Sequence, residues 1–395
     1  MKEGWEYKTF KDQFSINMGK TPPRGDSSSW DKSKITNNKW VSIADISLNE
    51  GKIIFDTKEY ISDKAAEKIK KVKAGSLLMS FKLTIGKMAF AGDDLFTNEA
   101  IIAIPQNEDY DLHFLYYYLL QYDWRTLTEG NEKVKGATLN KQSIGKIILP
   151  IIPIDEQHLI VSYLDSSFKL IDEIKNKALK SLTEAKALFQ SALAEAMEPK
   201  EGWEEKTLGE ICFIARGGSP RPIKNFLTED ESGIPWIKIG DTEIGGKFIN
   251  CTKEKIKKEG IKSSRFVRKG DFLLSNSMSF GRPYILKTDG CIHDGWLVLQ
   301  NFKDTFIDDF LYYLLSCNYV QKQFDEYAYG STVRNLKTDS VSRVSVNYPP
   351  LSTQKQIVSN LDSLSSKVRA IEEKYQKMVE ECDALKQAML RDVFE

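Results

Sequence analysis

The sequence is poor in the residues from which metal sites and disulfide frameworks are made. Its 395 residues include five cysteines and three histidines. Cys212, Cys251, Cys291, Cys317 and Cys382 are scattered, with no C-x-x-C pair, so neither a disulfide framework nor a zinc site is expected. His113, His158 and His293 stand far apart, which argues against a metal cluster. Neither sign of charge is in excess, with 56 Lys and Arg against 56 Asp and Glu. A protein that coats nucleic acid without sequence preference usually carries a basic excess, so the balance argues against that class, while it leaves room for local basic patches. No run approaches the roughly 18 apolar residues of a membrane span, and the opening Met1-Lys2-Glu3-Gly4-Trp5 is not a signal peptide. A cytoplasmic protein is expected.

Catalytic signatures are missing as well. Gly19-Lys20-Thr21 looks like the end of a phosphate-binding loop, but Phe14 stands where the first glycine of that loop belongs. Tyr348-Pro349-Pro350-Leu351 has the wrong flanks for the Asn/Asp-Pro-Pro-aromatic motif of a DNA methyltransferase, and no cofactor-binding glycine loop accompanies it. Glu6-Tyr7-Lys8 and Glu204-Glu205-Lys206 have the Glu-x-Lys spacing of some nucleases, a triplet common by chance. No active site is expected in this chain.

What the sequence does have is itself, twice. Lys2–Thr9 returns as Lys200–Thr207 with seven of eight residues identical. Gly19-Lys20-Thr21-Pro22 returns as Gly217-Gly218-Ser219-Pro220, and Trp40–Asp45 as Trp236–Asp241. Gly75–Ser80 returns as Gly270–Ser275, Phe114–Tyr117 as Phe310–Tyr313, and Gly136–Thr138 as Gly330–Thr332. Pro153–Asp165 matches Pro350–Asp362 at 7 of 13 positions. The offset stays between 194 and 198 throughout, which means two copies of one domain-sized unit and not a solenoid.

Each copy reads in two parts. The first holds short apolar runs between Gly, Pro, Asn and Ser, and Trp40–Ile46, Ser76–Ser80, Ala100–Ile104 and Phe272–Ser275 read as strands. A helix is expected near Phe114–Tyr122 and again near Phe310–Tyr319. The second part of each copy is one long helix of about 40 residues, or about 60 Å. Pro153-Ile154-Asp155 and Pro350-Leu351-Ser352-Thr353 are its start signals, with Asp155 as N-cap and Thr353 with Gln356 as a capping box. In the second helix Ile357, Leu361, Leu364, Val368, Ile371, Tyr375, Met378, Cys382, Leu385 and Met389 alternate steps of four and three, a heptad seam. The first helix carries Ile160, Leu164, Ser167, Ile171, Ile174, Ala178, Ser181, Ala185, Leu188 and Ala192 at matching places. Small residues there suit large ones opposite. Such helices also form homodimers, but with both partners in one chain an intramolecular antiparallel pair is favoured. That pair would set the globular parts at opposite ends of a rod and bring the chain termini together.

The halves differ beside the scaffold they share. Thr21-Pro22-Pro23-Arg24 stands against Ser219-Pro220-Arg221-Pro222, Phe81–Thr84 against Asn276–Ser279, and Asn98-Glu99 against His293-Asp294. These loops are rich in the donors and acceptors that read base edges, and one scaffold with two loop sets suits two different sequences. Basic stretches at Lys64–Lys73 and Lys253–Lys269 suggest phosphate contacts in both copies. Trp40 and Trp236 read as core.

The pattern resembles the specificity subunits of type I restriction–modification systems over nearly the whole chain. The resemblance rests on the Gly-Trp opening of each half, Gly19-x-Thr21-Pro22, Trp40-x-x-x-x-Asp45, Gly86-Lys87, Thr97-Asn98, Gly136-x-Thr138 and Pro153-x-x-Glu156-Gln157. The second half departs from it with Thr353-Gln354 and Ile292-His293. The resemblance implies an α+β chain of two pseudo-repeated mixed α/β target-recognition domains, separated by two long antiparallel coiled-coil helices. Domain one is residues 1–152, spacer helix one 153–199, domain two 200–349 and spacer helix two 350–395. It implies a non-catalytic subunit that reads a bipartite double-stranded DNA target from the major groove and docks two methyltransferase subunits, joined by motor-nuclease subunits. S-adenosylmethionine, ATP and magnesium would serve those partners, with no cofactor in this chain. A rod-like protein–protein scaffold without DNA specificity is the alternative.

Candidate DNA contacts in the first half are Thr21, Arg24, Lys64, Lys68, Lys70, Lys82, Thr84, Lys87 and Asn98. In the second they are Arg216, Ser219, Arg221, Lys238, Lys257, Lys258, Asn276, Ser277, Ser279, Arg282 and His293. Helix packing is expected at Ile160, Leu164, Ile171, Ile174, Ile357, Leu361, Leu364, Val368, Ile371 and Leu385.

Overall fold

The computed structural model describes residues 2–127, 139–243, 245–277, 280–328 and 335–395. Ser279 and the Gly136–Thr138 and Gly330–Thr332 repeats lie outside them. The chain forms two compact units, residues 1–178 with 377–395 and residues 179–376.

In the first unit a five-stranded sheet runs in the order Asn17–Met18, Ile101–Ile104, Leu77–Ser80, Met88–Ala91, Ile53–Ile54. Only the last pair is parallel. The three central strands are buried at every residue and do not alternate, because both faces of the sheet are covered. Leu77, Met79, Ile102 and Ile104 face Phe10, Phe14 and Phe114. Leu78, Ala89, Ile101 and Ala103 face Val41, Ile46 and Ile54. A three-stranded sheet of Glu59–Tyr60, Lys39–Val41 and Phe96–Thr97 stands beside it. Glu6–Thr9 pairs with Ile148–Ile151, which closes the domain.

The second unit has the same order: Phe213–Arg216, Trp296–Gln300, Phe272–Ser275, Pro283–Leu286, Phe248–Ile249. Its other sheet has five strands, with Leu227–Thr228 and Arg265–Val267 added at the edges. The first unit has only the single bridges Trp30–Ile61 and Val72–Leu95 near the corresponding edges. The domain helices are Leu112–Leu120 and Asp308–Ser316.

One expected strand is shorter than read. Trp40–Ile46 is a strand only to Val41, and Ile43–Leu48 is a helix. Ser42 and Asp45 form a capping box, and a helix begun there overrides the apolar run. Asp45 also accepts from the Lys58 N–H at 3.0 Å, and Asp241 accepts from Lys238 and Lys253 N–H groups in the same way. The Trp-x-x-x-x-Asp motif is therefore a turn lock.

The long helices are Ile154–Ala196 and Leu351–Phe394. Both begin earlier than their expected caps. The carbonyls of Pro153 and Pro350 accept the first helical bonds, from Gln157 at 3.1 Å and Gln354 at 3.0 Å, so proline holds the cap position. Asp155 lies inside the first turn, favourable to the helix dipole, and Thr353 is the third helical residue. The side chains of Gln157 and Gln354 do the tying. Gln157 donates to the Ile152 and Asp109 carbonyls, both at 3.0 Å, and accepts from the Asp111 N–H at 2.9 Å. Gln354 donates to Pro349 and Thr305 at 2.9 and 2.8 Å and accepts from Ile307 at 3.1 Å. Both are fully buried. One turn or two further on, Tyr117 donates to Asp165 and Tyr313 to Asp362, and burial holds both phenols protonated.

In the first unit, Lys386 meets Asp172 and Lys175 meets Asp383, both at 2.6 Å. Three residues forward on one helix match three backward on the other, so the helices run antiparallel there. Leu390, Val393 and Phe394 enter the core of the first domain beside Phe114, and Lys2 Nζ donates to the Val393 carbonyl at 2.8 Å. In the second unit Leu193 and Met197, the repeat equivalents of Leu390 and Phe394, enter the core with Val358 and Leu361.

The heptad seam is half of what its spacing predicts. Leu164, Ile171, Ala178 and Ala185 are buried at steps of seven, and so are Leu361, Val368 and Cys382 on the other helix, with the half-buried Tyr375 filling the place between the last two. Ile160, Ile357 and Leu364 are half-buried. Ile174, Ile371 and Leu385 are 49%, 42% and 50% exposed, so these three do not pack as expected. The alanines of the buried row, Ala178 and Ala185, are covered while Ile174 on the same helix is half exposed, so one row of the seam carries the burial. No helix is long and apolar enough to cross a membrane among the described residues.

Candidate nucleic-acid interface

In the first unit, the strand Asn17–Met18 delivers Gly19 against the backbone of Thr97-Asn98. A Cβ on Gly19 would stand 2.1 Å from the Thr97 carbonyl oxygen, so only glycine fits. Lys20 N–H donates to that carbonyl at 2.8 Å, and Trp40 Nε1 donates to the Lys20 carbonyl at 3.2 Å. Trp40 is thus a core residue that pins the loop. Next to it Thr21 Oγ1 donates to Glu99 Oε2. The Arg24 guanidinium lies 4.2 Å from the Trp30 ring and 4.8 Å from the Trp40 ring, and pairs with Glu59. A cleft of about 430 Å³ beside it is lined by Arg24, Trp30, Lys34, Lys58, Glu59 and Tyr60. The Thr21 hydroxyl is the main cause that holds the Glu99 carboxyl below its usual range, with Lys82 and Arg24 contributing.

The second unit repeats the arrangement with other side chains. A Cβ on Gly217 would meet the His293 carbonyl oxygen at 2.2 Å, and Gly218 N–H donates to Ile292 at 3.1 Å. Ser219 Oγ donates to Asp294 Oδ1 at 2.8 Å, and Arg221 stands 3.5 Å from Oδ2. Arg216 Nε and Asn276 Nδ2 both donate to the Asp294 carbonyl, at 2.9 and 2.8 Å. The Arg216 carbonyl accepts from Arg265 Nε at 2.8 Å. The Ser219 hydroxyl is again the main cause that lowers the Asp294 pKa. The His293 ring lies between the Ile239 N–H, 3.2 Å from Nε2, and the Gly295 N–H, 2.6 Å from Nδ1. A neutral imidazole accepts one of these, and burial pushes its pKa down.

The expected residues divide accordingly. Thr21, Arg24 and Lys82 gather around Glu99, with Asn98 next to it. Arg216, Ser219, Arg221, Asn276 and His293 gather around Asp294, with Lys238 acting on His293. Some of these turn inward. Asn276 is buried, and Asn98 Oδ1 accepts from the Ala100 N–H at 2.9 Å. Others lie apart. Lys64, Lys68 and Lys70 follow a separate exposed strip, where Lys70 donates to Asn17 at 2.7 Å. Lys257 and Lys258 are exposed near Asn225 and Asp230. Lys87 pairs with Glu50, Lys238 with Glu254, and Ser277 bridges to Asn335. Thr84 lies half-buried in the turn after Phe81, and Arg282 is exposed at the end of the equivalent turn. A larger cleft of about 710 Å³ against Phe90, His113 and His158 holds none of the expected residues.

Glu99 and Asp294 stand in the divergent loops that the sequence points to, but not among the single residues expected to touch DNA. A search for phosphate-binding donors ignores acids. The repeat held the signal, because Thr21 changes to Ser219 as Glu99 changes to Asp294. Among the described residues no group of three or more His, Cys, Asp or Glu is placed to hold a metal ion.

The family profile of the type I restriction modification DNA specificity domain matches residues 2–184 and again 200–381. A chain of Haemophilus influenzae described as a type I restriction enzyme specificity subunit is 26% identical over 283 residues, 70% of each chain. A chain solved in work on complex assembly and conformational transition of the type I R-M system superposes with a TM-score of 0.81 at 20% identity, covering 100% of this chain and 98% of that one. The HsdS subunit from Thermoanaerobacter tengcongensis superposes with a TM-score of 0.56 at 20% identity, covering 100% and 97%. At that identity the superpositions speak for the fold, and the two profile matches speak for the family. The chain belongs to the type I restriction–modification specificity subunits, the non-catalytic members of those systems.

Proposed function

We propose that this chain reads a bipartite DNA target, one part with each domain, and docks two methyltransferase subunits through its long helices. The observation that carries this reading is one scaffold kept twice beneath two different polar loops. The Gly19 and Gly217 contacts and the Asp45 and Asp241 turn locks are the same in both halves. The side chains they present are not: Thr21, Arg24 and Lys82 stand against Ser219, Arg221 and Arg216. Selection for fold alone explains the constancy, and reading two different sequences explains the change. The exposed strips at Lys64–Lys70 and Lys257–Lys258 suit phosphates, which position a reader without specifying sequence. The uncovered helix rows at Ile174, Ile371 and Leu385 suit an apolar partner surface.

Methyl transfer, ATP hydrolysis and cleavage fall to the methyltransferase and motor-nuclease partners, with S-adenosylmethionine, ATP and magnesium. The test is a reconstitution of the chain with its cognate methyltransferase subunits, challenged with a random duplex pool. The expected result is enrichment of one sequence of two blocks separated by unspecified bases. A bound fraction as random as the input would overturn the reading.

A further inference from the structure

Glu99 and Asp294 occupy equivalent places in the two halves, and each takes a hydrogen bond from a hydroxyl on the loop opposite. Both members of the pair differ between halves, Thr to Ser and Glu to Asp, yet the hydroxyl–carboxylate bond is kept. The partners are 78 residues apart in one half and 75 in the other. Each exchange keeps its functional group, so a hydroxyl-held carboxylate recurs at this place while the cations around it differ between the halves.

Its setting narrows the use. Arg24 and Lys82 act on Glu99, and Arg216 and Arg221 stand at Asp294. A carboxylate amid these cations weakens any hold on phosphate. The same group is favoured where a base edge offers only a donor. Both carboxyls are held below their usual range, so they are ionised at neutral pH and accept only. Glu99 is exposed beside the loop that carries Thr21, where a base edge can reach its carboxylate. In the major groove cytosine N4 is a donor without an adjacent acceptor on its own base. Adenine N6 lies beside N7, whose lone pair repels a carboxylate.

We propose that Glu99 in the first half and Asp294 in the second are specificity-determining residues, each accepting a hydrogen bond from a cytosine N4 in its part of the target. This rests on the DNA-reading function above. Thr21 and Ser219 are the positioning residues that aim the carboxylates. Amides at these places would pair with adenine instead, since Gln and Asn engage adenine N6 and N7 together.

The experiment uses the chain reconstituted with its methyltransferase subunits, a randomised duplex library and sequencing of the bound fraction. Glu99→Ala is expected to lose on the order of ten-fold preference at one C·G pair of the first block only, and Asp294→Ala at one pair of the second. Glu99→Gln and Asp294→Asn are expected to shift those positions toward adenine. Thr21→Val should weaken the first position by less than Glu99→Ala does. For the Glu99 and Asp294 variants affinity for random duplex should hold or rise, because a negative charge has gone. Unchanged base preferences in all variants would overturn the proposal. So would a uniform loss of affinity with a lowered melting temperature, the mark of a mere loop clamp. A wild-type complex that enriches no sequence would instead refute the DNA-reading function itself, before any variant is compared.

Discussion

Replacing Gln157 by alanine takes their partner from two carbonyls and one N–H, the Ile152 carbonyl among them fully buried, and leaves a hole where a fully buried side chain stood. Each unsatisfied buried group costs about 1–3 kcal/mol, and some relaxation offsets the sum. Gln157→Ala and Gln354→Ala are each expected to lower the unfolding free energy by about 3 kcal/mol in urea titrations. A loss under about 1 kcal/mol would show that the amides do not anchor the helix starts. His293 gives a different signature. Its folded pKa lies below the unfolded value of about 6.5, so its neutral form contributes stability that is present above that pH and lost as pH falls below it. His293→Asn, which installs the residue of the first half, removes the proton site. Wild type should lose stability relative to this variant between pH 7 and pH 5, and parallel pH profiles would refute the buried neutral ring.

At the scale of elements, the repeat and the helices were legible and the details of pairing were not. A duplication is visible because identical residues recur at one offset whatever they do. The long helices were visible because nothing breaks them between Pro153 and Pro199 or after Pro350. The apolar run from Trp40 suggests a longer strand than forms, because such a run reports burial and not backbone shape, whereas Ser42 and Asp45 decide the turn. The heptad pattern overstated the packing because spacing gives a face and not its depth. Ala178 is almost fully buried and Ile174 is half exposed, although both belong to the same seam. Ala178→Leu should therefore cost about 1–3 kcal/mol through overpacking. Ile174→Ser should stay within about 0.5 kcal/mol in the isolated chain. Equal costs in thermal or urea unfolding would restore the symmetric seam. Of the candidate site, the loops were legible from their divergence. The carboxylates at their centre were not, because their role depends on hydroxyls some 75 residues away.

At the scale of the whole chain, the two joins between a long helix and the domain after it have the same local chemistry. After the first helix, Leu193 and Met197 enter the core and the chain continues through exposed Glu198–Glu201 into the strand Glu204–Thr207. After the second helix, Leu390 and Phe394 enter the core of the first unit, where Trp5 meets Phe394 edge to face and Lys2 binds the Val393 carbonyl. The first join is covalent and the second is made by packing alone. A chain opened between Pro199 and Lys200, with Glu395 joined to Lys2 through a short Gly-Ser linker, exchanges the two without disturbing either core. Linker closure over such a distance costs little because the ends already touch, and exposed loops tolerate opening. The permuted chain is expected to keep its melting temperature within about 5 °C, since only the entropy of one short loop changes. In reconstitution it should enrich the same two-block sequence as the original, because each unit retains every contact it had. A permuted chain that folds but enriches a single block would show that the covalent join at Pro199 does more than connect.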